Sequence, residues 1–284
     1  MIEKNYSVFL GCESSFEDAR TVIFGAPFDS TTSNRPGTRF ASKVIRNESF
    51  GIETYSPLQD KDLTDIAVCD SGDLELCFGD TNKALDGIEQ RAEEILSAGK
   101  RPLMIGGEHL VTLGAVRAAA RKYPDLCILH LDAHADLRND YLGAELSHAT
   151  VIRRCHDIIG DGRIYQFGIR SGEKSEFEFA SSHTHMTKFT LDGFSEALDA
   201  LRGKPVYFTI DLDVVDPSEF PATGTPEAGG ISYTMLADVI VKAGSALDIV
   251  AMDVNELSPP YDPSGISAAL ACKVVRELLL AVNK

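Results

Sequence analysis

No run of about 20 apolar residues occurs anywhere in this chain, so the sequence offers no membrane-spanning helix and no membrane partner is expected. The opening stretch, MIEKNYSVFLGCESSFEDAR, has neither a basic leader nor an apolar export segment, and the expected compartment is the cytoplasm. Positive charge is scarce: 27 Lys and Arg stand against 43 Asp and Glu, a formal net charge of −16 with no basic stripe. Phosphate backbones require the opposite sign, so nucleic acid is not an expected partner and a cationic one is favoured, although much of an acidic surface serves only solubility. The six cysteines (Cys12, Cys69, Cys77, Cys127, Cys155, Cys272) include no CxxC pair. Most sit among apolar neighbours, as buried thiols in a reducing compartment do. Ser/Pro-rich linkers, charge blocks and internal repeats are missing too, which leaves no place to divide the chain.

What is present is a balance of 44% hydrophobic and 25% charged residues, enough to bury a large core. Short β-rich apolar runs predict strands over 21–27, 65–72, 102–107, 127–134, 163–169, 184–189, 206–213 and 248–254. Between them lie segments of helical period: 82–99, with Leu85, Ile88, Ala92 and Ile95 on one stripe, then 110–123, 234–247 and 267–282. Nearly continuous apolar strands belong to sheets covered on both faces. The expected architecture is therefore a single domain over residues 1–284, a three-layer α/β/α fold with a mostly parallel sheet of about eight strands.

In such sheets ligands bind outside the carboxyl ends of the strands. Here those ends are rich in acids and imidazoles. PLMIGG runs into Glu108 and His109, CILHL into Asp132, His134 and Asp136, VYFTI into Asp211 and Asp213, and DIVAM into Asp253, Asn255 and Glu256. In an extended chain alternate side chains share a face, which gathers Asp132, His134 and Asp136 on one side and pairs Asp211 with Asp213. A lone DxD at a strand end is commonly a cap or a turn. DAHAD after one apolar strand together with DLD after another is a far rarer coincidence. Four carboxylates converging at the end of a buried sheet repel one another unless a cation compensates them. Two histidines, four carboxylates and no thiolate make an oxygen-rich set suited to manganese or a similar octahedral ion rather than to closed structural zinc. There are donors for two ions, and a water shared between ions roughly 3.5–4 Å apart loses its proton near neutral pH.

The segments GGEH (106–109), DAHAD (132–136), SHAT (147–150), TIDLDVVDP (209–217), TGTPEAGG (223–230) and NELSPPYD (255–262) resemble, in order and spacing, those of the ureohydrolase family of arginases and agmatinases. The earlier RPGTRFASKVIR (35–46) looks like the agmatinase branch, and the likeness extends over nearly the whole chain. The resemblance implies an arginase-like fold and two manganese ions per chain. One ion would be held by His109, Asp132, Asp136 and Asp211, the other by Asp132, His134, Asp211 and Asp213. Asp136 would also orient a metal-bridging hydroxide that attacks a guanidinium carbon. It further implies that Glu256 pairs with the substrate guanidinium, whose planar fork suits a carboxylate, and that His148 carries a proton to the departing amine. The family's trimers and hexamers suggest a homo-oligomer.

The resemblance also bears on the substrate. Arginases grip the α-carboxylate of arginine with an asparagine and hydroxyl groups after DAHxD. The matching stretch here, LRNDYLGAEL (137–146), has no Ser or Thr and carries Arg138 near the asparagine's place. A small cationic guanidino substrate without that carboxylate is expected, namely agmatine, giving putrescine and urea. Two points stay open, since Arg138 could itself grip the acid of guanidinobutyrate and Glu173 could receive an amino group in either case. Glu108 is open between a supporting role and a turn. His183 and His185 are expected as surface residues without suitable carboxylate neighbours, and His156 on a helix face. Two other readings compete: a zinc deacetylase of the same fold, which would need one ion, and a catalytically silent metal-binding relative.

Overall fold

The structure, a computed structural model, describes residues 7–283. PVYFTID is β-branched or aromatic at most positions, and both it and CILHL are buried along their whole length, which is how strands deep in a covered sheet read. Ten strands form among the described residues: β1 Thr21–Gly25, β2 Tyr55–Ser56, β3 Lys61–Asp62, β4 Val68–Asp73, β5 Arg101–Ile105, β6 Cys127–Leu131, β7 Ile164–Ile169, β8 His185–Lys188, β9 Pro205–Asp211 and β10 Asp248–Asn255. Eight helices accompany them: α1 Ala41–Glu48, α2 Thr81–Ser97, α3 Thr112–Lys122, α4 Val151–Ile159, α5 Lys174–His183, α6 Phe194–Leu201, α7 Tyr233–Ala246 and α8 Ile266–Val282. Strands β2 and β3 make a small antiparallel ribbon. The other eight build one sheet in the order β4-β1-β5-β10-β9-β6-β7-β8, every neighbouring pair parallel.

Side-chain alternation sorts the core into two layers. Ile23, Leu103, Leu129 and Phe208 face one way and pack with buried residues of α1, α6, α7 and α8. Val22, Met104, Ile128 and Tyr207 face the other way, towards α2, α3, α4 and α5. The result is the three-layer α/β/α arrangement expected from the sequence. All eight sheet strands fall within or beside the expected segments, and α2, α3, α7 and α8 start and stop within a few residues of theirs. Helices α1, α5 and α6, of 8, 10 and 8 residues, are too short to announce themselves by periodicity. No helix among the described residues is long and apolar enough to cross a membrane. Five of the six cysteines are buried, Cys77 is exposed, and none forms a disulfide.

The order of the strands decides where chemistry can gather. The chain lays down β5, leaves room for two strands, and continues with β6; β9 and β10 later return to fill the gap. The carboxyl ends of β5, β10, β9 and β6 therefore stand side by side where the winding reverses, and a crevice opens between their departing loops. The turn after β5 enters it through two glycines. A Cβ on Gly106 would lie 1.8 Å from Asn255 Oδ1, and one on Gly107 only 1.9 Å from the carbonyl oxygen of Phe28. A backbone oxygen cannot rotate aside as a side chain can. Gly107→Ala is thus expected to lower the urea unfolding midpoint by the equivalent of about 1–3 kcal/mol. Gly87→Ala, inside α2 where the added methyl meets only Leu76 at 3.6 Å, should raise it by up to about 1 kcal/mol. Equal shifts in the two variants would contradict this account of the turn.

Candidate active site

Each crevice residue is delivered by a strand end or by the turn after it. His109 opens a 3-10 turn after β5, Asp132 follows β6 directly, Asp211 ends β9 with Asp213 in the turn beyond, and Glu256 follows β10. The pleat explains little of the convergence. Strand β6 ends at Leu131 and Asp136 has a left-handed backbone (φ 53°), so turns rather than alternation bring Asp132, His134 and Asp136 together. Glu256 is left-handed as well (φ 68°).

The six expected donors meet. His109 Nδ1 is 3.0 Å from Asp132 Oδ2, 3.1 Å from Asp136 Oδ2 and 3.4 Å from Asp211 Oδ2, while His134 Nδ1 is 2.9 Å from Asp213 Oδ2 and 3.6 Å from Asp132 Oδ1. Despite this crowding, His109 Nδ1 and Asp213 Oδ2 are buried without a hydrogen-bond partner. Buried polar atoms are rarely left so. An imidazole lone pair and several acid oxygens aimed at shared points suit divalent cations, and the excess of oxygen suits hard ones. The residues fit a metal centre.

Around these donors lies a second set of contacts that fixes them. His109 Nε2 meets Thr209 Oγ1 at 2.9 Å, which leaves Nδ1 for the cavity. His130 Nε2 lies 2.8 Å from Asp132 Oδ2, and Gln166 donates to its Nδ1 at 3.1 Å and to the Ala135 carbonyl at 3.0 Å. With both nitrogens engaged, His130 supports Asp132 instead of joining the donors. Backbone N–H groups of Ala133, His134 and Asp213 donate to Asp213, Asp132 and Asp211. Asp253, one of the acids at the strand ends, sits inside the fold, where Thr112, Tyr207 and Asn255 donate to it. Glu108 accepts from Thr31 and Thr32, so it anchors a loop rather than merely forming a turn.

The electrostatics match. Burial and the charge of Asp132 lift the Asp136 carboxyl to about 7, and burial with Asp213 lifts Asp211 well above its usual range. Burial opposes the charges of His109 and Asp132, yet their mutual proximity overrides it, so His109 titrates well above and Asp132 well below the ordinary values. Burial and the Glu108 charge raise Glu256 well above its usual range. Burial alone is the main reason that His148 falls to about 4.

His109, His134, Asp136, His148, Asp211 and Glu256 border a cavity of about 190 Å³, lined also by Ser33, Arg138, Tyr141, Glu176 and Glu227. Glu256 accepts from the His109 N–H at 2.7 Å. His148 lies 3.3 Å from Ser33 Oγ and meets the Tyr141 ring edge-on. Arg138 pairs with Glu173 at 2.5 Å and stands over Tyr141, its carbon 4.6 Å from the ring centre. The sequence reading did not single out His130, Thr209, Gln166, Tyr141 or Glu227. His130 alone carried a signal, being two residues before Asp132 on an alternating strand.

A model of the arginase family matches residues 19–281. The agmatinase of Bacillus anthracis is 48% identical over 276 residues, 96% of this chain and 95% of its own length. The human mitochondrial guanidino acid hydrolase is 32% identical, covering 97% and 82%. Among solved structures, the agmatine ureohydrolase of Thermoplasma volcanium superposes with a TM-score of 0.90 at 33% identity, over 98% of this chain and 95% of that one. The chain belongs to the arginase family. It is, accordingly, an enzyme of the ureohydrolase type.

Because burial and neighbouring charge push Asp136 to about 7 and raise Asp211 well above the usual carboxylate range, cation binding near neutral pH displaces protons from this pair. Affinity for Mn2+ should therefore rise from pH 6.5 to pH 8 with release of protons. Calorimetry in buffers of different protonation enthalpy reads this directly; a buffer-independent heat would contradict it.

Proposed function

We propose that the chain hydrolyses agmatine to putrescine and urea with two manganese ions, one on His109, Asp132, Asp136 and Asp211 and the other on Asp132, His134, Asp211 and Asp213. The observation that carries the reading is the meeting of these six side chains around buried atoms, His109 Nδ1 and Asp213 Oδ2, that nothing in the protein satisfies. Bound ions of this kind supply a water acidified enough to act as a nucleophile near neutral pH and positive charge to stabilise a tetrahedral centre. The remaining work falls to the chain. Glu256, buried and short of a positive partner, receives the guanidinium and turns its carbon towards the donor cluster. Asp136 accepts a hydrogen bond from the attacking water and so aims it. Neutral His148, steadied by Ser33 and Tyr141, is free to take a proton and pass it to the amine nitrogen as the C–N bond breaks.

Arg138 decides between tails. Its guanidinium is already engaged by Glu173 at 2.5 Å and lies 3.6 Å from Glu176, so a carboxylate-tailed substrate would have to displace an existing ion pair. The two acids leave the rim with a net negative charge that suits the ammonium of agmatine. The relatives named agmatinase and agmatine ureohydrolase agree with this reading. A guanidino acid such as guanidinobutyrate is the second reading, favoured by the human relative's name.

Two measurements test the proposal. Urea release by the manganese-loaded chain from agmatine, arginine and guanidinobutyrate should favour agmatine clearly; preference for guanidinobutyrate would reverse the assignment of Arg138, and no urea from any of the three would end the proposal. His148→Asn should lower kcat by about 10²–10⁴-fold with KM little changed. An unaltered kcat would remove His148 from the proton path.

A further inference from the structure

A second knot of imidazoles and carboxylate lies away from the cavity, where α4 and α5 end. His156 is in the last turn of α4, His183 closes α5, and Asp161 occupies the turn between α4 and β7. His156 Nε2 is 2.7 Å, and His183 Nδ1 2.6 Å, from one oxygen, Asp161 Oδ1. The ligand atoms of the three residues all lie within 4.8 Å of one another, and none of the three lines the cavity. This corrects the expectation for His183, which does have a carboxylate neighbour, brought from 22 residues away by the fold. His185 stacks on Tyr165 instead.

The trio is held in shape before any ligand arrives. Gly160 and Gly162 flank Asp161 with φ of 84° and 71°; the N–H of Gly160 donates to the His156 carbonyl at 2.8 Å and that of Gly162 to the His183 carbonyl at 2.9 Å. The Phe179 ring fixes both imidazoles, stacking on His183 at 4.1 Å and meeting His156 edge-on at 4.9 Å. Asp161, with 66% of its side chain exposed, leaves the site open to solvent.

Hydrogen bonds to Asp161 leave one atom unexplained. A His156 that donates from Nε2 has a bare Nδ1, and this atom is buried with no partner. If Nε2 instead gives its lone pair to a cation, the ring proton moves to Nδ1, which then faces Asp157 Oδ1 at 3.8 Å. At that distance no direct hydrogen bond forms, and a bridging water would be needed to complete the carboxylate–histidine–metal order usual behind metal-bound imidazoles.

We propose that His156, Asp161 and His183 form a further metal site that takes one zinc ion, separate from the acid-rich cavity. Two imidazole nitrogens and one carboxylate suit zinc better than a hard cation, and three protein ligands leave the fourth tetrahedral position to water. An ion there fastens the end of α4 to the end of α5.

Zinc retention by the manganese-loaded chain, measured against a chromophoric chelator, tests this in the wild type, Asp161→Asn and His183→Gln. The wild type should keep one zinc per chain more than either variant, show a visible cobalt band that both lack when Co2+ replaces zinc, and alone gain thermal stability with zinc. Urea release should be the same in all three, so failure here is distinguishable from failure at the cavity. Circular dichroism of Asp161→Asn, altered only at an exposed turn, separates lost binding from lost folding. Equal zinc retention and equal cobalt spectra in the three proteins would overturn the proposal and leave the trio as a hydrogen-bonded clasp.

Discussion

The buried carboxylates of Asp132, Asp136, Asp211 and Asp213 repel one another, and the surrounding structure is arranged about that repulsion. Three lie at 3% exposure or less and Asp136 at 6%, so solvent does little to screen them. Part of the relief comes from the protein itself: His109, His130 and His134 crowd against Asp132, and backbone N–H groups point at three of the four acids. What repulsion remains shows as carboxyls of Asp136 and Asp211 raised above their usual range by burial and by their acidic neighbours.

Holding such a cluster open takes a scaffold that cannot relax. The sheet supplies one, because β5, β10, β9 and β6 are neighbours whose ends are locked in register by parallel ladders. Behind the ends, Thr209, Gln166, His130 and Asp253 form hydrogen-bonded struts within the sheet, each buried. Arg138, Tyr141 and His148 line the cavity from the loops beyond, where Arg138 pairs with Glu173 and both Arg138 and His148 meet the Tyr141 ring.

Most of this was legible in the sequence because it rests on runs. Apolar strands bounded by glycine, and acids immediately after them, are local signals, and the eight sheet strands and the six side chains that converge beyond them were read from such signals. The grounds were partly wrong: alternation was expected to align Asp132, His134 and Asp136, whereas the strand stops at Leu131 and a left-handed residue completes the convergence. What escaped notice depends on contacts between distant segments. Gln166 supports His130 from 36 residues away, Arg138 is neutralised by Glu173 from 35, and Asp161 serves His183 from 22. No window along the chain contains such pairs. Short helices escaped for a related reason, since two turns hold too few apolar positions to establish a period.

The backbones of Asp136 and Glu256 carry a last consequence. Both occupy left-handed conformations that side chains avoid at about 1–2 kcal/mol per residue. Glycine would rest there more comfortably, and so would asparagine at the first. On the roles proposed for Asp136 and Glu256, selection for turnover is what keeps acids at these two positions against residues the backbone would accept more easily. In a lineage that lost the need for the enzyme, they would be among the earliest places to change, and the fold would grow firmer as its catalysis faded.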